Sequence, residues 1–153
     1  KAASVMNVPD ASQVSIDDLW LLVHMAFEVI QEYSFLFRDL SDLNAAFPAL
    51  RQRFVANIEH SIERTEAYLM ELASDGQLDA TTMEVKALAL NMVLVSTYWL
   101  ALQGVRNDKD GSLRARDEDL PRGVYQVLSL VTPYLEGPAR LSMRREARRY
   151  AAG

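Results

Sequence analysis

The stretch TTMEVKALALNMVLVSTYWLALQGVR, residues 81–106, decides the fold. It opens with Thr81 and Glu84 in the T-x-x-E spacing of a capping box, in which side chain and backbone at a helix start satisfy each other. Its longest apolar run, residues 87–102, is broken by Asn91, Ser96 and Thr97. That run falls short of the ~18 residues that suggest a membrane span. No β-type alternation is present. A helix this apolar on all sides needs neighbours to cover it.

The neighbours follow on both sides. Upstream, Pro48 suits the first turn of a helix, although Phe47 stands where a polar cap is expected. Leu50, Phe54, Ile58, Ile62, Leu69 and Leu72 then make an apolar stripe, and Asp75-Gly76 ends it. Earlier, Ser15 and Asp18 mark a start like a capping box. From Ile16 to about Tyr33 the chain is apolar nearly all round, through Leu19, Trp20, Leu21, Leu22, Val23, Met25, Ala26, Phe27 and Ile30. That predicts a central helix. FLFRDLSDLN, residues 35–44, reads as one or two helical turns, and residues 1–14, with Pro9 and no periodicity, read as a tether. Downstream, NDKDGSLRAR, residues 107–116, is a polar loop. A helix over 118–135 carries the stripe Leu120, Val124, Val127, Leu128, Val131 and Leu135, with a kink or early end at Pro133. Gly137-Pro138 opens a last helix bearing Arg144, Arg145, Arg148 and Arg149. The expected fold is all-α: four long helices plus short ones, with residues 15–153 as a single domain.

Composition narrows the function. The 153 residues are 50% apolar and 24% charged, with a net charge of −5 and no cysteine. The apolar share excludes a disordered chain. The missing cysteine excludes disulfides, thiol nucleophiles and cysteine-held zinc, and suits a reducing cytosol. The acidic balance argues against a chain built mainly to hold nucleic acid. Residues 138–153 nevertheless carry five arginines and one glutamate. Such a run is a solvated helix face, a contact for an acidic neighbour or a phosphate-facing arm. No secretory leader is visible.

Enzyme constellations do not assemble. Neither histidine follows a glutamate by three, so the Glu-x-x-His pairs of di-metal bundles are absent. The glycines are isolated, there is no Gly-x-Ser-x-Gly elbow, and no carboxylate pair stands out. The sequence therefore predicts no catalytic residue, metal or cofactor. What remains is a set of polar groups inside apolar helices: His24, Asn91, Ser96, Thr97, Tyr98, Trp99 and Gln103. They either bond to one another and to helix carbonyls, or line a cavity and orient a small ligand. The apolarity of the helices at 82–106 and 118–135 is open in the same way. It is covered within one chain, or by a second copy forming an intermolecular four-helix bundle.

Several words of the sequence carry a family resemblance: YSFLFRDL at 33–40, Pro48-Ala49-Leu50-Arg51, Asn91, Thr97-Tyr98-Trp99, and GVYQVL at 123–128. Their order and spacing over residues 15–137 resemble the C-terminal domain of bacterial TetR-family regulators, in the branch with a "bacterial transcriptional repressor" domain. The resemblance implies a cytoplasmic homodimer without enzymatic activity. It implies an N-terminal helix-turn-helix domain, expected to be missing from this chain, through which alone DNA would be bound. It further implies dimerisation through the last two long helices, with Leu120, Val124, Val127, Leu128 and Val131 at the interface. A small, largely apolar effector would sit among the helices at 16–33, 48–74 and 82–106, held by His24, Asn91 and Tyr98 and walled by Trp20, Phe27, Phe54, Ile58, Val95 and Trp99. No membrane contact is implied. The other reading is a helical interaction module whose apolar face binds a different protein.

Overall fold

The computed structural model describes residues 15–32, 45–107 and 118–151. Among them run five α-helices: α1 (Ile16–Glu32), α2 (Pro48–Ser74), α3 (Thr82–Arg106), α4 (Asp119–Val131) and α5 (Gly137–Ala151). A 3-10 turn, Thr132–Tyr134, ends α4 where Pro133 was expected to end it. The fold is all-α. The expected tether at 1–14, the turns at 35–44 and most of the loop at 107–116 lie outside the described residues.

The punctuation follows local chemistry. Phe47 offers no side-chain cap to α2. Its carbonyl still accepts from the amides of Leu50 and Arg51 at 3.1 and 3.2 Å, and Pro48 removes one donor that would otherwise lack a partner. At the other end, Gly76 adopts φ +74°. The amides of Gly76 and Gln77 donate to the carbonyls of Ala73 and Leu72. This pair of bonds is the Schellman arrangement, which a left-handed residue makes possible. At the start of α3 the capping box is complete: Thr81 N–H donates to Glu84 Oε2 at 2.7 Å, and Glu84 N–H to Thr81 Oγ1 at 3.2 Å. A short antiparallel bridge, Leu78 with Leu135, ties the α2–α3 link to the α4–α5 link. Around it Asp79 N–H donates to Tyr134 O, and Glu136 N–H to Gln77 O.

The centre of the fold is α4, not α1. It packs against α3, α1 and α5, while α2 packs along α3. Val124, Val127, Leu128 and Val131 are completely buried, alongside Phe27 from α1, Leu69 and Leu72 from α2, Val85 and Ala89 from α3 and Met143 from α5. On α1 only the face of Ile16, Leu19, Val23 and Phe27 is buried. Leu21, Leu22, Met25 and Ala26 are exposed. All-round apolarity therefore did not mean all-round burial.

Candidate sensing and dimerisation surfaces

Helix α3 has two apolar faces with different fates. Val85, Leu88, Ala89, Met92, Leu100 and Gly104 turn into the core. On the opposite side Met83, Leu90, Leu94, Tyr98, Leu102 and Val105 are open to solvent, from 47% at Tyr98 to 82% at Met83. Ala87 and Asn91 complete this outer face. Its spacing of threes and fours over ~37 Å of helix is that of a packing seam. Counted whole, α3 is long and apolar enough to cross a membrane, with mean hydropathy 1.5 over its best 18-residue window and 44% of that window buried. The core helix of a soluble protein passes the same test, and two apolar faces on one helix account for the value.

The stripe expected at the dimer interface does not face outward. Leu120, Val124, Val127, Leu128 and Val131 are consumed by the core of their own chain. The outer side of α4 is Arg122, Gln126 and Ser129, so this stripe is corrected to intrachain core. The apolar surface left for a partner is on α3.

The polar groups sort as individuals. Ser96 and Thr97 donate back to the carbonyls of Met92 and Val93, both at 2.7 Å. Helical Ser and Thr commonly bond this way. Trp99 Nε1–H donates to the Asp119 carbonyl at 2.8 Å, and the buried Asp119 carboxylate accepts from Asn107 Nδ2 at 2.9 Å. The end of α3 is thereby pinned to the start of α4. His24 Nε2 lies 3.2 Å from Glu28 Oε1, and its Nδ1 lies 3.4 Å from the Tyr150 hydroxyl. Burial pushes the Tyr150 phenol above its ordinary pKa; the Glu146 carboxylate adds to this, and Arg149 opposes it.

The nine residues expected around an effector are not gathered in one place. Phe27 and Trp99 meet over Gly123: a Cβ built there would lie 2.6 Å from Phe27 Cε1 and 2.5 Å from Trp99 Cδ1. Trp20 and His24 flank Tyr150, with ring centroids 6.4 and 6.0 Å away. Asn91 and Tyr98 belong to the outer face of α3, facing away from the core. Val95 is half-buried against the core, and Phe54 and Ile58 are half-buried on the first half of α2.

Two of the recesses among the described residues bear on the site. One, of about 460 Å³, lies where the α2–α3 link meets the start of α5 and is bordered by Asp75, Gln77 and Glu136 among others. The other, of about 230 Å³, lies between α3, α4 and α5 and is lined by Trp99, Gln103, Arg106, Arg122, Tyr125, Gln126 and Tyr150. Of the nine expected residues, only Trp99 borders either recess. Tyr150 was missed because it sits among arginines. Its place after Ala139, Met143 and Ala147, at spacings of four, four and three, was the available signal.

This is a small all-helical domain whose core is closed by its own chain and whose longest apolar helix presents a second, uncovered face. The TetR family model, described as "Bacterial transcriptional repressor", matches residues 1–143. The chain belongs to the TetR family of transcriptional regulators. Among solved structures it is similar to a TetR-family transcriptional regulator from Marinobacter aquaeolei VT8, at 27% identity and a TM-score of 0.74. That alignment covers 89% of this chain and 63% of the other, so this chain spans less than two thirds of its structural relative. No curated protein matches.

Proposed function

We propose that this chain is the effector-sensing and dimerisation domain of a cytoplasmic TetR-type repressor. Operator reading is assigned to a helix-turn-helix domain outside the described residues. The observation that carries the reading is the uncovered outer face of α3. A continuous apolar face of this length on a small domain marks an interaction surface. In a two-fold dimer the same face serves both copies. Two α3 helices packed face to face replace the expected four-helix bundle by a two-helix seam along Leu90, Leu94, Tyr98 and Leu102.

The sensing step is a linkage. A small, largely apolar effector lodged among the helices changes operator affinity only as far as it binds the two arrangements of the dimer differently. The helices that would feel it are already coupled, because Trp99 and Asp119 join α3 to α4 and Phe27 joins α1 to both.

Light scattering on a gel-filtration column tests the reading. The expected result is a mass near twice 17.2 kDa, unchanged across the micromolar range. Leu94→Asp should give a folded monomer, since Leu94 is 51% exposed and supports no core. A wild-type monomer, or a dimer indifferent to Leu94→Asp, would sink the α3 interface and favour an interaction module for a different protein.

A further inference from the structure

From Ala87 to Val105 the outer face of α3 is apolar but for two side chains, Asn91 and Tyr98. Neither has a side-chain hydrogen-bond partner among the described residues. In water that costs nothing. Once a second copy covers the face, each needs a partner, because a polar group buried without one costs more than a made hydrogen bond gains. At ~100° per residue, with Leu94 taken as the centre of the face, Asn91 lies about 60° and Tyr98 about 40° round the helix, both to the same side. That shared flank decides the orientation of the second copy. A two-fold axis along the helices sets opposite flanks together, and Asn91 and Tyr98 would then face the flank that carries Leu90 and Ala101. A two-fold axis across the helices sets like flanks together and makes the pair antiparallel. Placed between Leu94 and Val95, such an axis lies within a residue of the middle of the face, so the two copies overlap over its whole length. It also leaves Asn91 and Tyr98 at equal distances on either side, ~5 Å along the helix. An axis at Asn91 would pair that residue with itself but leave Leu102 and Val105 uncovered.

We infer that two α3 helices pack antiparallel about this axis, with the partner's Tyr98 hydroxyl donating to the Asn91 amide oxygen, twice by symmetry, and that this pair fixes the register of the dimer. Packed helix axes stand about 8–10 Å apart, a gap that a tyrosine and an asparagine span together. The same axis sets Glu84, in the first turn of α3, beside the partner's Arg106, in the last turn. Both positions are exposed, and both lie on the flank of Asn91, so opposite charges close each end of the seam. An exposed ion pair adds little affinity, but it favours the orientation that sets unlike ends together. A polar pair within an apolar seam gives up some stability for a defined register, as a buried asparagine does in coiled coils. This register rests on the α3 dimer reading and adds to it an orientation and two recognition residues.

Two readouts on the whole chain test it. A nitroxide label at Lys86→Cys is off the seam and exposed, and it is unique because the chain has no cysteine. Double electron–electron resonance should place the two labelled positions about 25 Å apart along the helix direction, whereas parallel helices would bring them within roughly 15 Å. Dimer dissociation is followed by sedimentation. Tyr98→Phe keeps the ring and removes the hydroxyl, which strands Asn91, and should weaken the dimer about tenfold or more. The double variant Asn91→Leu, Tyr98→Phe should bring affinity back to within about threefold of wild type, or tighter, because apolar groups then replace both partners. A tyrosine that served only as packing would not be rescued in this way. Tyr98 is 47% exposed and Asn91 is exposed, so neither supports the core of its own chain. Labels within roughly 15 Å, an unchanged dimer in Tyr98→Phe, or a double variant as weak as Tyr98→Phe would overturn the register and leave the α3 dimer standing. A monomeric wild-type chain, or a dimer indifferent to Leu94→Asp, would overturn the α3 dimer and the register with it.

Discussion

Replacing Gly123 by alanine sets two effects of opposite sign against each other. In the middle of a helix, alanine is favoured over glycine by about 1 kcal/mol. Against that, the new Cβ would stand 2.5 Å from Trp99 Cδ1 and 2.6 and 2.8 Å from two atoms of the Phe27 ring, where carbon atoms prefer ~3.5–4.0 Å. One or both rings must retreat by about 1 Å. Neither does so freely. Phe27 is fully buried in the core, and Trp99 is tied through Nε1 to the Asp119 carbonyl. Overpacking of this kind costs about 1–3 kcal/mol, and displacing Trp99 forfeits a hydrogen bond worth about 1 kcal/mol. The balance is a net destabilisation of about 2 kcal/mol, or roughly 4–8 °C in melting temperature for a chain of this size. Urea unfolding followed by circular dichroism, at fixed protein concentration, reads it. Phe27→Leu in the alanine background should recover at least ~1 kcal/mol of the loss, as a double-mutant cycle between touching groups requires. If Gly123→Ala instead raises stability by about 1 kcal/mol, the three-way junction of α1, α3 and α4 is not packed as described.

Two further outcomes follow from named contacts. Thr81→Ala removes half of the α3 capping box and should cost about 0.5–2 kcal/mol, with faster amide exchange confined to the first turn of α3; an unchanged exchange pattern would contradict the cap. Tyr150 keeps its proton longer in the folded chain than in the unfolded one, because its pKa is raised by burial and by Glu146. The stability it contributes is therefore fully present below about pH 10 and is lost as pH rises through the higher folded value. Tyr150→Phe should flatten that alkaline decline, and an identical decline in the variant would show that another group causes it.

How much of this was readable from sequence depended on whether the deciding physics was local. The capping box at Thr81 and Glu84, the stop at Asp75-Gly76 and the end of α4 at Pro133 are set by residues within a turn of one another, and they stand where expected. Which face of an apolar helix is covered is decided by what packs on it. Val124, Val127 and Val131 form the same stripe whether they meet their own chain or a second one, so sequence left them open and the structure assigned them to the core. Likewise, α1 and α3 each carry more apolar residues than one face can hold, which periodicity reports as central burial. In fact each helix exposes its surplus. The residues expected around a pocket are dispersed for a related reason: Asn91 and Tyr98 are polar groups in an apolar run, and both stand on the exposed outer face of α3.

The α3 interface can be tested by cross-linking, and the absence of any cysteine from the chain makes the test clean. Single cysteines are placed along the outer face by Ala87→Cys, Leu90→Cys, Leu94→Cys, Tyr98→Cys and Leu102→Cys, with Ser129→Cys on the polar side of α4 as control. A two-fold interface brings a residue near its axis against its own copy, within the ~4.4–6.8 Å between Cα atoms that a disulfide spans. Mild oxidation should yield a covalent dimer from one or two neighbouring α3 positions and none from Ser129→Cys. Equal cross-linking at Ser129→Cys, or none anywhere along α3, would contradict the account.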